Sequence, residues 1–158
     1  MKRIRLEPSA YQQGHCFSLS IAAAKRASRF TEANTVRLCL GALEETAKRF
    51  NASVFAYCFM PDHLHLLVAL PSGFSLVQFV RHFKQLSAYR CRREGSQGAL
   101  WQARFYDHAL RREESLPDMA RYVWENPVRA GLAENPSDYS YSGSFVWEEA
   151  REPETVGV

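Results

Sequence analysis

Apolar and small polar residues alternate from Cys16 to Ile21 (CFSLSI), the two-residue period of a strand with one buried face. Thr31 is placed to cap a helix in which Val36, Leu40, Leu43, Ala47 and Phe50 recur at steps of four and three. Val54 to Met60 (VFAYCFM) is dense in aromatic and β-branched side chains and predicts a second strand. Pro61 and Asp62 turn the chain, and His63 to Leu70 (HLHLLVAL) predicts a third strand, ended by Pro71-Ser72-Gly73. Ser75 with Gln78 three residues on has the form of a capping box. Leu76, Val80, Phe83 and Ser87 mark one face of the helix that follows, and Arg81, Lys84, Ala88 and Arg92 another. Gly95 to Gly98 breaks it. Arg104 to Arg111 predicts the last strand, and Ser115, Pro117 and Asp118 open a helix running through Tyr122 to about Asn126. The first six elements, in the order βαββαβ, predict an α+β fold of ferredoxin-like type. Its antiparallel sheet carries helices on one face, and a C-terminal helix follows.

At 158 residues the chain suits one domain, expected to span 1–147. From Glu148 on, the residues EEAREPETVGV predict an acidic, disordered tail. Apolar residues make up 46% and charged ones 23%, the balance of a globular protein. The net charge of +3 is too small to identify a partner, but its distribution is uneven. Arg81, Lys84, Arg90, Arg92 and Arg93 fall in one helix with no acid among them. Cysteines at 16, 39, 58 and 91 include no close pair, which argues against a CxxC site and against a disulfide framework. A reducing cytoplasm is the simplest setting. The basic start MKRIRLEPSA is followed by no apolar run, so neither a signal peptide nor a membrane span is expected.

Two groupings carry chemistry. His63-Leu64-His65 lies on a predicted strand, where residues i and i+2 project to one side, and two imidazoles so placed converge on one cation. The same pair is also compatible with one turn-capping and one surface histidine. Asp118, Tyr122 and Asn126 are spaced four apart, giving a helical stripe of an acid, a phenol and an amide. Taken alone, Tyr122 also fits a half-buried aromatic, and Asn126 before Pro127 fits the cap of a new helix. Asp62 suits either a turn or a hydrogen-bond partner for an imidazole. Of Asp107 and His108, adjacent on a strand, at most one faces the site. His15 and His82 have the character of structural or surface residues.

The segments MPDHLHLLV, LWQARFYDHALR and YVWENPVRAGL occur in the order and spacing of the single-tyrosine HUH transposases. The chain most resembles their REP-associated tyrosine transposase branch, related to small insertion-sequence transposases, over roughly residues 11–145. The resemblance implies that His63 and His65 bind a divalent metal, Mg or Mn, and that Tyr122 is the nucleophile. It also implies that Asn126 supplies a third ligand, where insertion-sequence members commonly carry Gln. The implied substrate is single-stranded DNA bearing palindromic hairpins. The resemblance is also compatible with a homodimer in which the tyrosine helix of one subunit stands beside the histidines of another, and equally with a site formed within one chain.

The residue types suit strand transfer. Attack by a phenol leaves a 5′-phosphotyrosine and a free 3′-OH, so the energy of the cleaved bond is kept for rejoining. With such a substrate, Arg81, Lys84, Arg90, Arg92, Arg93 and Arg104 become a phosphate-binding surface, which Arg111, Arg112 and Arg129 extend. Trp101, Tyr106 and Trp124 are candidates to stack on unpaired bases, with core packing as the competing role. Two other functions share these residues: a metal-dependent nuclease using water, and a non-catalytic hairpin-binding relative.

Overall fold

A computed structural model of the chain describes residues 16–111 and 113–147. The basic start, His15, Arg112 and the expected acidic tail lie outside the described residues. The elements follow as β1 (Cys16–Ala22), α1 (Ala33–Arg49), β2 (Ser53–Met60), β3 (His63–Ala69), α2 (Leu76–Arg93) and β4 (Tyr106–Ala109), the expected βαββαβ order. Then come α3 (Leu116–Trp124), α4 (Asn126–Arg129) and a short strand β5 (Ser142–Gly143). The sheet has five strands in the order β4-β1-β3-β2-β5, and every pairing is antiparallel.

Both faces of the sheet are covered, by different means. One face packs against α1 and α2. Leu19 and Ile21 of β1 and Leu64, Leu66 and Val68 of β3 meet Cys39, Leu43 and Ala47 of α1 and Phe79, Val80 and Phe83 of α2. Phe30 and Trp101 close this core at the end where β3 begins, and Trp101 Nε1 donates to the Ser87 hydroxyl at 2.8 Å. The opposite face carries Cys58, Met60, Leu67 and Ala69 beneath Leu116, Ala120, Val123 and Trp124 of α3. A register shift between Val54 and Ala56 of β2 puts both Phe55 and Ala56 on this second face, as a bulge does. Each fully buried Leu or Phe contributes roughly 1.5–3 kcal/mol, so the two layers together account for the fold's apolar driving force.

The helix ends show where local signals prevailed and where they did not. Ser75 and Ser115 cap α2 and α3, accepting from the backbone N–H groups of Gln78 and Asp118 at 3.3 and 3.4 Å. Thr31 does not cap α1. Its hydroxyl donates to the Ser28 carbonyl within a 3-10 turn, and Glu32 holds the cap position without a side-chain bond. Leu40 is only half-buried, because Cys39 and Ala42 share the buried stripe with Leu43. The last strand of the βαββαβ unit is four residues long rather than eight and exposed along its length. The segment from Pro136 to Trp147, for which the pattern gave no strand, returns to pair β5 with β2. All four cysteines are buried and free. No described helix is long and apolar enough to cross a membrane.

Candidate functional site

Alternation along β3 buries Leu64 and Leu66 under α1 and α2 and turns His63 and His65 to the face that carries α3. The two imidazole rings lie 4.6 Å apart at 81°, with their Nε2 atoms 2.9 Å from each other. The Asp62 carboxylate sits 2.6 Å from His63 Nδ1 and 3.6 Å from Arg26. An Nδ1–H donated to that carboxylate leaves the His63 Nε2 lone pair free to bind, the arrangement that orients metal-binding histidines. Burial alone would raise the Asp62 carboxyl, but the hydrogen bond and charge of His63, with Arg26, outweigh it and hold the carboxyl below its usual range. Burial, then the charges of His63, Arg129 and Arg26, press His65 down to about 4. Its ring is therefore neutral near pH 7.

The donor set fits a divalent cation in part. Two bonds of about 2.1 Å meeting at a right angle place their donor atoms roughly 3 Å apart, so the nitrogen pair matches two adjacent ligands of an octahedral ion. Among the described residues no group of three or more His, Cys, Asp or Glu side chains is placed to hold a metal. Further ligands must then come from an amide, water or substrate oxygens.

Tyr122 stands on α3, the helix packed across β2 and β3 on the same face as the imidazoles. Leu116, Ala120, Val123 and Trp124 seat this helix, and Trp124 Nε1 donates to the Gly143 carbonyl at 2.9 Å, tying it to β5. Tyr122 itself is 56% exposed. The helix stops at Trp124, so Asn126 falls in α4, where Glu125 holds the cap position in its place. The Asn126 amide nitrogen donates to the Val123 carbonyl at 3.0 Å, and its oxygen accepts from Arg129 at 2.8 Å. The Arg129 guanidinium also donates to the Tyr122 carbonyl and lies 4.0 Å from the centre of the Tyr122 ring. Asp118 pairs with Arg121 at 2.8 Å.

The basic residues divide by position. Arg81, Arg92, Arg93 and Arg104 are exposed, whereas Arg90 pairs with Glu45. Lys84 donates to the Gln102 carbonyl at 2.7 Å and also contacts the Arg104 carbonyl, and burial lowers its pKa. All but Arg104 belong to α2, on the face of the sheet opposite the imidazoles. The segment that follows α2 nonetheless reaches the end of the sheet where β3 begins, since Ala24 bonds Leu100 while its neighbour Ala23 bonds Asp62.

Of the three aromatic candidates, Trp101 and Trp124 are core residues with satisfied indole N–H groups. Tyr106 is 79% exposed, and the register Tyr106–Ser20–His65–Cys58 puts it in one row with His65, two strands away. By the same register His108 shares that face and pairs with Glu114, while Asp107 points to the other. His82 bonds Thr46 and is structural. Sequence placed Arg129 only among the basic surface residues. Its contact with Tyr122 spans the break between α3 and α4 at Glu125, which residue spacing alone does not reveal.

Residues 15–126 match the family model described as "Transposase IS200 like". A Haemophilus influenzae protein named as a REP-associated tyrosine transposase is 30% identical over 112 residues, covering 64% of this chain and 64% of that one. The Escherichia coli K12 REP-associated tyrosine transposase is 30% identical over 90 residues, covering 55% of this chain and 51% of that one. The chain thus matches less than two thirds of either relative's length. Among solved structures, a REP-associated tyrosine transposase bound to a REP hairpin superposes with a TM-score of 0.71 at 22% identity, over 90% of this chain and 82% of that one. A transposase structure from Deinococcus radiodurans gives 0.54 at 20% identity, over 68% and 87%. These two likenesses are of fold. Sheet, imidazole pair, tyrosine helix and family match coincide over one stretch of sequence, and the chain belongs to the IS200-like transposase family.

Proposed function

We propose that the protein cuts and rejoins single-stranded DNA carrying palindromic hairpins, with Tyr122 as nucleophile. The observation that carries this reading is the convergence of His63 and His65 Nε2, 2.9 Å apart, on the face where the tyrosine helix packs. The Tyr122 phenol oxygen would form a bond to the scissile phosphorus, and the departing 3′ oxygen would take a proton, leaving a 5′-phosphotyrosine. Attack by a second 3′-OH on that linkage would release the tyrosine and join the strands. His63 and His65 would hold a divalent ion, Mg or Mn, with Asn126 as a further ligand. When bound, the ion would stabilise charge on the phosphate oxygens. Asp62 would fix the His63 ring, and exposed Arg92, Arg93 and Arg104 would hold flanking phosphates. The hairpin in the REP-associated neighbour supports the substrate assignment.

Incubation of the protein with a labelled hairpin oligonucleotide and Mg or Mn tests the reading. A denaturation-resistant protein–DNA band is expected from the wild type and none from Tyr122→Phe. Cleavage without such a band would point to water as the attacking group, and binding without cleavage to a non-catalytic hairpin binder. Packing of α3 on its own chain's β2 and β3 supports a site assembled in cis. Mixing His63→Ala with Tyr122→Phe protein should therefore give no adduct, whereas recovery would establish assembly across a dimer.

A further inference from the structure

Two of the four buried cysteines meet on the helical face of the sheet, away from the imidazoles. Contacts between α1 and α2 show that the helices run antiparallel. Phe50, just past α1, packs edge-on against Phe79 at 5.7 Å, and one turn back Thr46 contacts His82 Nδ1 at 2.9 Å. Continued toward the start of α1, this register sets Ala42 opposite Ser87, both fully buried, and Cys39 opposite Cys91 in the same core. Gly41, Ala42, Ser87 and Ala88 make this seam of small side chains, so the two backbones can approach closely. A Cα atom lies about 2.3 Å from its helix axis and packed axes lie about 8–10 Å apart, so residues facing across the seam fall near the Cα separation that a disulfide spans. Spacing in the sequence hides the pair, because its members stand on different helices.

The two thiols are unequal. The Cys39 S–H donates to the Cys91 sulfur, and this bond, with burial and the charge of Cys91, pushes the Cys39 thiol up against the opposite pull of Arg29. The same bond lowers Cys91 to about 7, against burial and with help from the Arg29 charge. Arg29 is fixed beside them. Its guanidinium donates to the Ser96 hydroxyl, and the Ser96 N–H donates to the Cys91 carbonyl at 3.0 Å. Cys91 lies in the last turn of α2, next to exposed residues 92–95, whereas Cys39 is enclosed. We propose that Cys39 and Cys91 form a reversible dithiol–disulfide couple, which a hydroperoxide closes and which fastens the basic end of α2 to α1. The Cys91 thiolate attacks a peroxide oxygen, the O–O bond breaks, and the departing oxygen leaves with the Cys91 proton as water or alcohol. Attack by the Cys39 sulfur on the resulting sulfenic acid breaks the S–O bond and releases water carrying the Cys39 proton. Two thiols are thereby oxidised by two electrons and one peroxide is reduced. The bond fixes the turn that carries Arg92 and Arg93.

The test treats the folded full chain with hydrogen peroxide, blocks the remaining thiols with iodoacetamide in denaturant, and maps peptides by mass spectrometry without reductant. The Cys39 and Cys91 peptides should be joined, with Cys16 and Cys58 recovered as blocked thiols, and dithiothreitol should undo the link. The oxidised protein should melt about 5–10 °C above the reduced one, because the crosslink restricts the unfolded chain. That rise should be absent from Cys91→Ala treated in the same way. Arg29→Gln should close the bond several-fold more slowly, since it removes a charge that favours the thiolate. The wild-type peptide map and melting curve carry the test if a variant does not fold. Recovery of Cys39 and Cys91 as free thiols, a link to Cys16 or Cys58 instead, or a Cys91 sulfinic acid without any link would overturn the proposal. A crosslinked protein that melts no higher than the reduced one would also overturn it, because the native helices would then not accept the bond.

Discussion

The two faces of the sheet are built from the same strands and serve different ends. On the face under α1 and α2, Ile21, Leu64 and Phe59 lie side by side across three strands and are fully buried. One residue along, on the other face, the row is Ser20, His65 and Cys58, continued by exposed Tyr106 on the edge strand. The first row meets two long helices. The second is roofed only in part by the nine-residue α3, leaving polar groups accessible at the end where β3 begins. A strand with period two can therefore supply core and chemistry at once, since Leu64 anchors the backbone that aims the histidines on either side of it.

Breaking either row should give opposite phenotypes. The largest effect expected is on the chemical face: replacing both His63 and His65 by Ala should reduce DNA cleavage to background in a gel assay. The melting temperature of that variant should fall by no more than a few degrees, as for partly exposed residues whose loss costs about 1 kcal/mol. On the buried face, Leu64→Ala should cost about 2–5 kcal/mol in urea unfolding, through lost burial and the cavity left behind. Wild-type-like stability in that variant would contradict the division of labour.

Two smaller effects sharpen the comparison. Tyr106→Ala should weaken binding of single-stranded DNA by about 1–3 kcal/mol, the range for one base stacked on an aromatic ring, without lowering the melting temperature. A 2-aminopurine base near the cleavage site should report the loss of stacking by fluorescence, and unchanged fluorescence would remove Tyr106 from the DNA path. Gly143→Ala tests how α3 is held. A β-carbon there would lie 2.6 Å from the Tyr57 hydroxyl, on a ring packed against Phe59 and Phe145. Overpacking of this kind costs about 1–3 kcal/mol. That cost should appear as lowered stability, with loosening of the Trp124–Gly143 bond visible in tryptophan fluorescence.

Much of this was legible in the sequence, because period-two and helical spacing report directly which face each residue takes. Alternation through HLHLL gave both the strand and the common side of the two histidines, and serine caps marked the starts of α2 and α3. Thr31 misled because its hydroxyl serves a 3-10 turn ahead of α1. The β5 strand was invisible because two residues carry no periodicity, and its place is set by pairing with β2 and by the Trp124 bond. The DNA-facing roles proposed for Lys84 and Arg90 looked alike in sequence. In the fold both are occupied, one by loop carbonyls and the other by Glu45, because their partners come from 18 and 45 residues away. Arg129 is the converse case. Seven residues on, it shares a helical face with Tyr122 but would lie about 10 Å away along an unbroken helix, so the contact becomes visible only with the break between α3 and α4 at Glu125.

The central claim is that one chain's imidazole pair serves its own Tyr122 in forming a covalent link to DNA. Peptide mapping by mass spectrometry, after incubation with a hairpin oligonucleotide and Mn, tests it most directly. The nucleotide-bearing peptide should contain Tyr122, and it should vanish when His63 and His65 are both replaced by Ala. A nucleotide on another residue, or an undiminished Tyr122 adduct in the double variant, would contradict the account.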